Sequence, residues 1–326
     1  MDTLCADVYR IIFSFVSSKN VFSFRLISTF FNELISNGNL DKIIIRSRYF
    51  YNTTRIKNLY LNVTVQSAHI PESYDNVISI NTGSKICNTI DRHIIKFTNL
   101  TSLHLRHTSN ISDNDLLQLP KLKYLTLYNQ NCITGQYLLQ MKSLVRLSIF
   151  DTTIINDNVL SQLINLNSLT LTSTHYITNS SIEKLINLKS LKLYNNHMAD
   201  GTAAQFLTNL TSLKCGINVS DHNLTQLINL TTLKIYTAIN ICGNFLSILT
   251  GITKLSIATS QQINDTHIQF STNIRYLSIT NIPGITFYGI STLTNLTSLY
   301  CSNKQMTMND AQKMPLLNFL NGKHVR

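Results

Sequence analysis

The hexapeptide LNSLTL at residues 166–171 decides the fold of this 326-residue chain, because its pattern returns along most of the sequence. It reappears 22 residues later as LKSLKL at residues 188–193. The pattern Leu-x-x-Leu-x-Leu, with Ile or Cys at some positions, has its middle residue at 103, 125, 147, 169, 191, 213, 233, 255, 277 and 299. Successive copies are 22 residues apart, except for one step of 20 between 213 and 233. Ten copies in register predict a stack of similar structural units.

Each unit carries the signals of one short strand and one short helix. The alternation at Leu103 and Leu105 has the period of a strand with two inward side chains. Leu116 and Leu119, three residues apart, indicate a short helix or helical turn before the next strand. An acidic or amide residue stands one place ahead of that segment in several units, where a side-chain oxygen can cap free backbone N–H groups. These residues are Asp113, Asp157, Asn179, Asp221 and Asp265.

The repeat resembles the leucine-rich repeat, in the 22-residue form found in cytosolic interaction proteins. The resemblance implies an α/β fold, a leucine-rich-repeat solenoid with a curved parallel sheet on the concave face and short helices on the convex face. One position departs from the family pattern: the Asn that usually follows the motif is mostly replaced, as by Thr152, Thr174 and Ser260, with Asn196 an exception. We therefore expect the asparagine ladder between the loops to be incomplete.

The amino-terminal segment does not follow the repeat. Apolar residues at 8, 11, 12 and 15, and again at 27, 30, 31 and 34, predict two amphipathic helices. Asn20 can cap a short middle helix from Val21 to Leu26. The segment resembles an F-box, a three-helix module, although Cys5 replaces the usual Pro. The matching positions are Leu4-Cys5, Asp7-Val8, Ile11-Ile12, Phe15-Val16, Asn20-Val21 and Arg25–Phe30.

This resemblance implies that the module docks on a Skp-type adaptor of a cullin complex. The matching adaptor-facing residues are Leu4, Val8, Ile11, Ile12, Phe15 and Val21. The alternative is that residues 1–45 form only a helical cap over the first repeat. Six phenylalanines between residues 13 and 31 favour the F-box, because they exceed what a cap of this size can bury. An F-box followed by leucine-rich repeats is also the domain order of F-box/leucine-rich-repeat proteins.

The sequence predicts four segments. Residues 1–45 form the F-box-like helical module, residues 46–98 a linker with degenerate first repeats, residues 99–308 the ten leucine-rich repeats and residues 309–326 a carboxy-terminal cap. The stretch Asn309–Leu320 is apolar and out of pattern, which is the reason for treating it as a cap.

Composition excludes several classes of protein. Apolar residues make up 44% and charged residues 13%, which is incompatible with intrinsic disorder. No apolar run approaches the roughly 18 residues of a membrane span, and the amino terminus lacks a signal peptide, so we expect a soluble intracellular protein without membrane contact. The net charge of +11 is spread along the chain and favours acidic partners.

No catalytic or metal-binding constellation emerges from the sequence. The six cysteines have no paired spacing, and His104 and His107 would point to opposite faces of a strand. No phosphate-binding glycine loop or nucleophile elbow occurs. We therefore expect no enzyme activity, no cofactor and no bound metal.

The outward strand residues predict a partner-binding face. Lys192, Lys214 and Lys234 fall at equivalent positions of three adjacent units. The neighbouring outward column supplies four aromatic residues, Tyr128, Phe150, Tyr194 and Tyr236. Aromatic residues interleaved with basic ones are typical of interfaces, so we predict that these seven residues bind a protein client with an acidic patch. A solvated basic face is the plainer interpretation, and binding of nucleic acid is less favoured.

Two functional hypotheses follow. In the first, the chain is the substrate receptor of a cullin–RING ubiquitin ligase of the SCF type. It would act in the cytoplasm of its own cell or, if it is a viral protein, in the cytoplasm or nucleus of the host. In the second, it is a stand-alone scaffold or regulatory solenoid. The 37 Asn residues fit an AT-rich genome, and F-box/repeat proteins are plentiful in giant DNA viruses of amoebae. A viral protein that diverts host ubiquitination is therefore one hypothesis for its origin.

Overall fold

A computed structural model describes residues 43–47, 59–64, 77–81, 91–106, 110–130, 132–151, 154–216, 219–301 and 306–325. The predicted adaptor-binding residues Leu4, Val8, Ile11, Ile12, Phe15 and Val21 lie outside these ranges. The chain divides into two compact units, Met1–Leu144 and Val145–Arg326, and each is described by itself.

Among the residues that the structure describes, the first unit has five strands, each pairing in parallel with its neighbour along the chain. They are β1 (Ile43–Ser47), β2 (Leu59–Thr64), β3 (Val77–Asn81), β4 (Ser102–Arg106) and β5 (Tyr124–Tyr128). Helix α1 (Asp113–Leu117) and the 3₁₀ helices Ile94–Lys96 and Gln136–Gln140 lie between or after the later strands. One strand and one short helix per coil is the arrangement that the 22-residue period predicts.

The second unit repeats the same coil from β6 onward. Its parallel strands are β6 (Arg146–Phe150), β7 (Ser168–Thr172), β8 (Ser190–Tyr194), β9 (Ser212–Cys215), β10 (Thr232–Ile235), β11 (Lys254–Ala258), β12 (Tyr276–Thr280), β13 (Ser298–Cys301) and β14 (Phe319–Leu320). The connecting helices are α2 (Asp157–Leu160), α3 (Asn179–Ile182), the 3₁₀ helix Thr202–Phe206, α4 (Asp221–Thr225), α5 (Phe245–Ile248), α6 (Asp265–Ile268), α7 (Phe287–Ser291) and α8 (Met308–Gln312). The antiparallel strand β15 (Lys323–His324) ends the unit.

The repeated leucines form the core of each unit. In β7, Leu169 and Leu171 are completely buried, and the same holds for Leu188, which precedes β8 by two residues. Burying one such side chain stabilises the fold by about 1.5–3 kcal/mol. A single coil cannot cover its own apolar side, so it depends on the next coil for this burial.

Polar ladders connect successive coils beside this core. The Asn229 side chain donates from Nδ2 to the Thr208 carbonyl at 3.0 Å, and the Thr231 hydroxyl donates to the Thr211 carbonyl at 3.1 Å. Asn187, Asn209, Asn273 and Asn295 make the equivalent amide bond, 23 residues apart in each case. These bonds satisfy carbonyl groups that the turns leave unpaired.

The predicted capping role of the aspartates needs a correction. Asp221 is the first residue of α4, not the residue ahead of it, and the helix is capped by Ser220 instead. The Asp221 carboxylate reaches the next coil, where it accepts the backbone N–H groups of Cys242, Gly243 and Phe245 at 2.6, 3.0 and 3.0 Å. Asp113, Asp157 and Asp265 make the same kind of bond to Thr134, Thr178 and Thr286. These carboxylates cap the following coil because its loop N–H groups converge on them.

The carboxy-terminal stretch continues the coil. The sequence predicts that residues 309–326 form a closing cap, and within this stretch β14 pairs in parallel with β13, with Leu320 opposite Leu299. Leu317 and Leu320 are buried as the leucines of earlier coils are. The division of the chain at residues 45, 98 and 308 stays a prediction.

Candidate protein-binding face

The strand register brings three lysines into one row on the outward face of the second unit. Lys192 of β8 lies opposite Lys214 of β9, and Lys214 lies opposite Lys234 of β10. Adjacent strands are about 4.8 Å apart, so the three side chains start within about 10 Å of one another. All three residues are half-buried. We call Lys192, Lys214 and Lys234 the lysine row.

Charge on this face has a single sign. The eight strands β6 to β13 carry five basic residues and no acidic residue. The five are Arg146, Lys192, Lys214, Lys234 and Lys254. Between residues that the structure describes, an ion pair joins Lys313 and Asp310, but none joins a carboxylate to the lysine row. Like charges on neighbouring strands repel, so this face carries an electrostatic cost that an anionic partner would remove.

Two tyrosines contact each other beside the lysine row. The ring centroids of Tyr194 and Tyr236 are 5.4 Å apart, and their planes are tilted by 50°. The two residues lie on the coils of β8 and β10, whose separation is about twice the 4.8 Å strand spacing. Gly216, in the coil between them, has no side chain to hold the rings apart. A Cβ atom built on Gly216 meets no heavy atom within 4 Å, so open space lies between the rings and the backbone.

The tyrosine pair is linked electrostatically to the row. The Lys234 ammonium lies 4.8 Å from the centroid of the Tyr236 ring, a cation–π contact. Burial raises the pKa of Tyr236, and its hydrogen bond with Tyr194 raises it further. Tyr236 is therefore neutral at physiological pH and does not counter the charge of the lysines.

The other predicted client-binding residues occupy outward strand ends. Phe150 ends β6 and lies opposite Thr172 of β7, which in turn lies opposite Tyr194. This register places Phe150 on the same face as the tyrosine pair, two strands away from Tyr194. Tyr128 ends β5 in the first unit and is half-buried there.

The inward cysteines are part of the core. Cys215 is completely buried, and burial raises the pKa of its thiol to about 12. Asp200 contributes to the same shift. A thiol held protonated and out of contact with water is not a nucleophile.

Metal-ligating side chains do not cluster in the part of the chain that the structure describes. These ranges contain no group of three or more His, Cys, Asp or Glu side chains that could hold a metal ion. Every helix within them is too short to span a bilayer.

Two features of the face were not singled out from the sequence. One is the tyrosine contact across Gly216. The other is a column of hydroxyl groups, Ser190, Ser212 and Thr232, which lie opposite one another on the side of the lysine row away from the tyrosines. The signal that could have found the first is Gly216 itself, which stands between Tyr194 and Tyr236 in the outward column and leaves no side chain between the two rings.

Comparison with known proteins is consistent with this description of the coils. No protein-family model matches the sequence, and no curated protein matches it. An internalin, InlF, from Listeria monocytogenes is similar in structure, with 22% identity and a TM-score of 0.60, over 97% of this chain and 94% of that chain. A second internalin from the same organism, InlC2, has 22% identity and a TM-score of 0.44, over 56% of this chain and 82% of that chain. Internalins are leucine-rich-repeat proteins, so the fold of this chain is a leucine-rich-repeat fold of the α/β class.

Proposed function

We propose that this chain is a non-catalytic protein-binding scaffold, and that its client docks on the outward face of β6 to β13. The observation that carries the proposal is the sign of the charge: five basic side chains and no acidic one on eight consecutive strands. A face of one sign steers an acidic partner and rejects a basic one. The aromatic pair beside the lysine row adds rigid apolar area at the centre of that charge.

Within this function, we propose the more specific role of a substrate receptor in an SCF-type ubiquitin ligase. The support is the sequence: the F-box-like pattern in residues 1–45, through Leu4, Val8, Ile11, Ile12, Phe15 and Val21, precedes the repeats. In this role the chain catalyses no reaction itself, and it holds a lysine of the client near a ubiquitin-conjugating enzyme that carries ubiquitin. The alternative is a regulatory scaffold whose amino-terminal residues only cap the repeats. The same proposal includes a location in the cytoplasm or nucleus and a viral origin of the protein.

Charge reversal of the lysine row tests the client face. The variant Lys192→Glu/Lys214→Glu/Lys234→Glu should fold normally, since the three side chains point outward, and should lose its client. The matched control is Lys142→Glu/Lys184→Glu/Lys323→Glu, which changes the net charge equally at exposed sites outside strands β6 to β13. The measurement is affinity purification with mass spectrometry on both variants and on the unchanged chain. Equal recovery of the same client by all three would show that the row is only a solvated face.

Adaptor binding is tested separately on the full chain. A purified Skp-type adaptor should be retained by the unchanged chain and by the lysine-row variant alike. It should be lost from Ile11→Asp/Phe15→Asp, because these apolar positions match the adaptor-facing residues of an F-box. If the unchanged chain retains no adaptor at micromolar concentration, the ligase role is excluded and the scaffold role remains.

A further inference from the structure

We infer that the lysine row binds a phosphorylated residue of its client. This inference rests on the proposed function and names the chemistry of the partner. The row presents three ammonium groups from three adjacent strands. A phosphate monoester carries about −1.5 to −2 charges and three acceptor oxygens at neutral pH, whereas a carboxylate carries one charge and two oxygens. One phosphate can therefore contact all three lysines, whereas one carboxylate leaves part of the repulsion in place.

The residues on both sides of the row suit a phosphorylated side chain. Ser190, Ser212 and Thr232 form a column of hydroxyl groups in register with the lysines, and hydroxyl groups donate readily to phosphate oxygens. On the other side, the Tyr194–Tyr236 pair offers an apolar surface beside the anion, and open space lies at Gly216. The site thus has cationic, hydroxyl and aromatic contacts within three coils.

The extent of the row favours a phosphorylated protein segment over a nucleic acid. At the equivalent outward position, the coils on either side carry Thr170 and Ser256 instead of a base. The concentrated charge is confined to about 10 Å, which is the size of one phosphate and its contacts. A nucleic-acid strand presents a phosphate at each nucleotide and would gain from a longer basic track.

The test uses peptide libraries of random sequence with one fixed central residue: phosphoserine, serine or glutamate. The unchanged chain should retain the phosphoserine library at least about tenfold better than either of the others at physiological salt. The variant Lys214→Gln should lose that preference, whereas Lys184→Gln, at an exposed site outside strands β6 to β13, should keep it. Circular dichroism confirms the fold of both variants. Equal retention of the glutamate and phosphoserine libraries would overturn the inference, as would stronger binding of a mixed-sequence single-stranded oligonucleotide.

A phosphatase experiment separates this inference from the proposed function. A client that depends on the lysine row is treated with phosphatase before it is offered to the unchanged chain. Loss of binding supports a phosphate ligand. Unchanged binding to the dephosphorylated client, still abolished by Lys192→Glu/Lys214→Glu/Lys234→Glu, would overturn the phosphate ligand and leave the acidic protein partner standing. If no client depends on the row, the proposed function itself fails.

Discussion

Tyr194 and Tyr236 contact each other across Gly216, although a whole strand separates them in the sheet. The contact exists because the intervening coil has glycine where the coils on either side have tyrosine. A ring at position 216 would instead separate the two tyrosines into an ordinary stack of three. Because residue 216 has no side chain, two rings that belong to strands two apart come into contact.

The first prediction concerns this pair. In a double-mutant cycle of Tyr194→Ala and Tyr236→Ala, the coupling free energy should be about 0.5–1.5 kcal/mol, the usual value for tilted aromatic contacts. The measurement is the free energy of unfolding in urea. In the background of Gly216→Ala the coupling should persist, since a Cβ there meets no atom within 4 Å. In the background of Gly216→Leu it should vanish, and coupling that survived the leucine would contradict the contact.

The second prediction concerns the aspartates that cap the following coil. Asp221→Ala should lower the free energy of unfolding by about 1–3 kcal/mol, because three N–H groups of the next coil lose a charged acceptor. Hydrogen exchange should accelerate at the amides of Cys242, Gly243 and Phe245. Glu183→Ala, which removes the same charge from the residue directly after α3, serves as control and should change neither quantity appreciably. Unaltered exchange in the Asp221 variant would argue against the cap.

The third prediction is a loss of stability in acid. Burial raises the pKa of Asp157, but hydrogen bonds from Ser181, Thr178 and Ser180 outweigh it and hold the pKa below its usual value. A carboxyl with a lowered pKa in the folded state stabilises the fold above its unfolded pKa, and this contribution is lost as the pH falls through the folded pKa. Urea unfolding between pH 5 and pH 2 should therefore show a shallower decline for Asp157→Asn than for the unchanged chain. Parallel declines would refute the assignment.

The fourth prediction concerns His104 in β4. Burial lowers its pKa, and the neighbouring Arg106 lowers it further. Protonation then favours the unfolded chain, so stability should be full above the unfolded pKa of about 6.5 and should fall as the pH drops below it. His104→Gln should remove this component of the pH dependence between pH 7 and pH 5. Arg106→Gln should move the His104 pKa upward, detectable by NMR titration of the imidazole, and a downward shift would contradict repulsion by the guanidinium as a cause.

The fifth prediction tests the core of one coil. Leu213→Ala should cost about 2–5 kcal/mol of unfolding free energy, since Leu213 is completely buried. Ile228→Ala, at a side chain that is 69% exposed, should stay within about 0.5 kcal/mol of the unchanged chain. A similar cost for both variants would mean that burial of the repeated leucines does not determine stability.

Much of the fold could be predicted from the sequence because the repeat occurs ten times in register. Leu169 and Leu171 are inward, and Lys192 and Lys214 are outward neighbours, as alternation along a strand requires. The role of Asp221 could not be predicted, because helix caps are usually local and its partners lie 21 to 24 residues further along the chain. The tyrosine contact depends on ring size and tilt across a missing side chain, which no periodicity encodes. The adaptor-facing residues from Leu4 to Val21 remain a prediction.

The carboxylate that reaches from one coil into the next gives the stack a direction. Asp221 completes the loop that follows it, so the Cys242 coil depends on its predecessor, whereas Asp221 itself could turn to water if its successor were absent. A ribosome releases the chain from the amino terminus, so each of these coils emerges after the neighbour that supplies its acceptor. The N–H groups of these loops therefore find their acceptor in the order of synthesis, whereas the carbonyl groups that Asn229 and its equivalents bind must wait for the coil that follows.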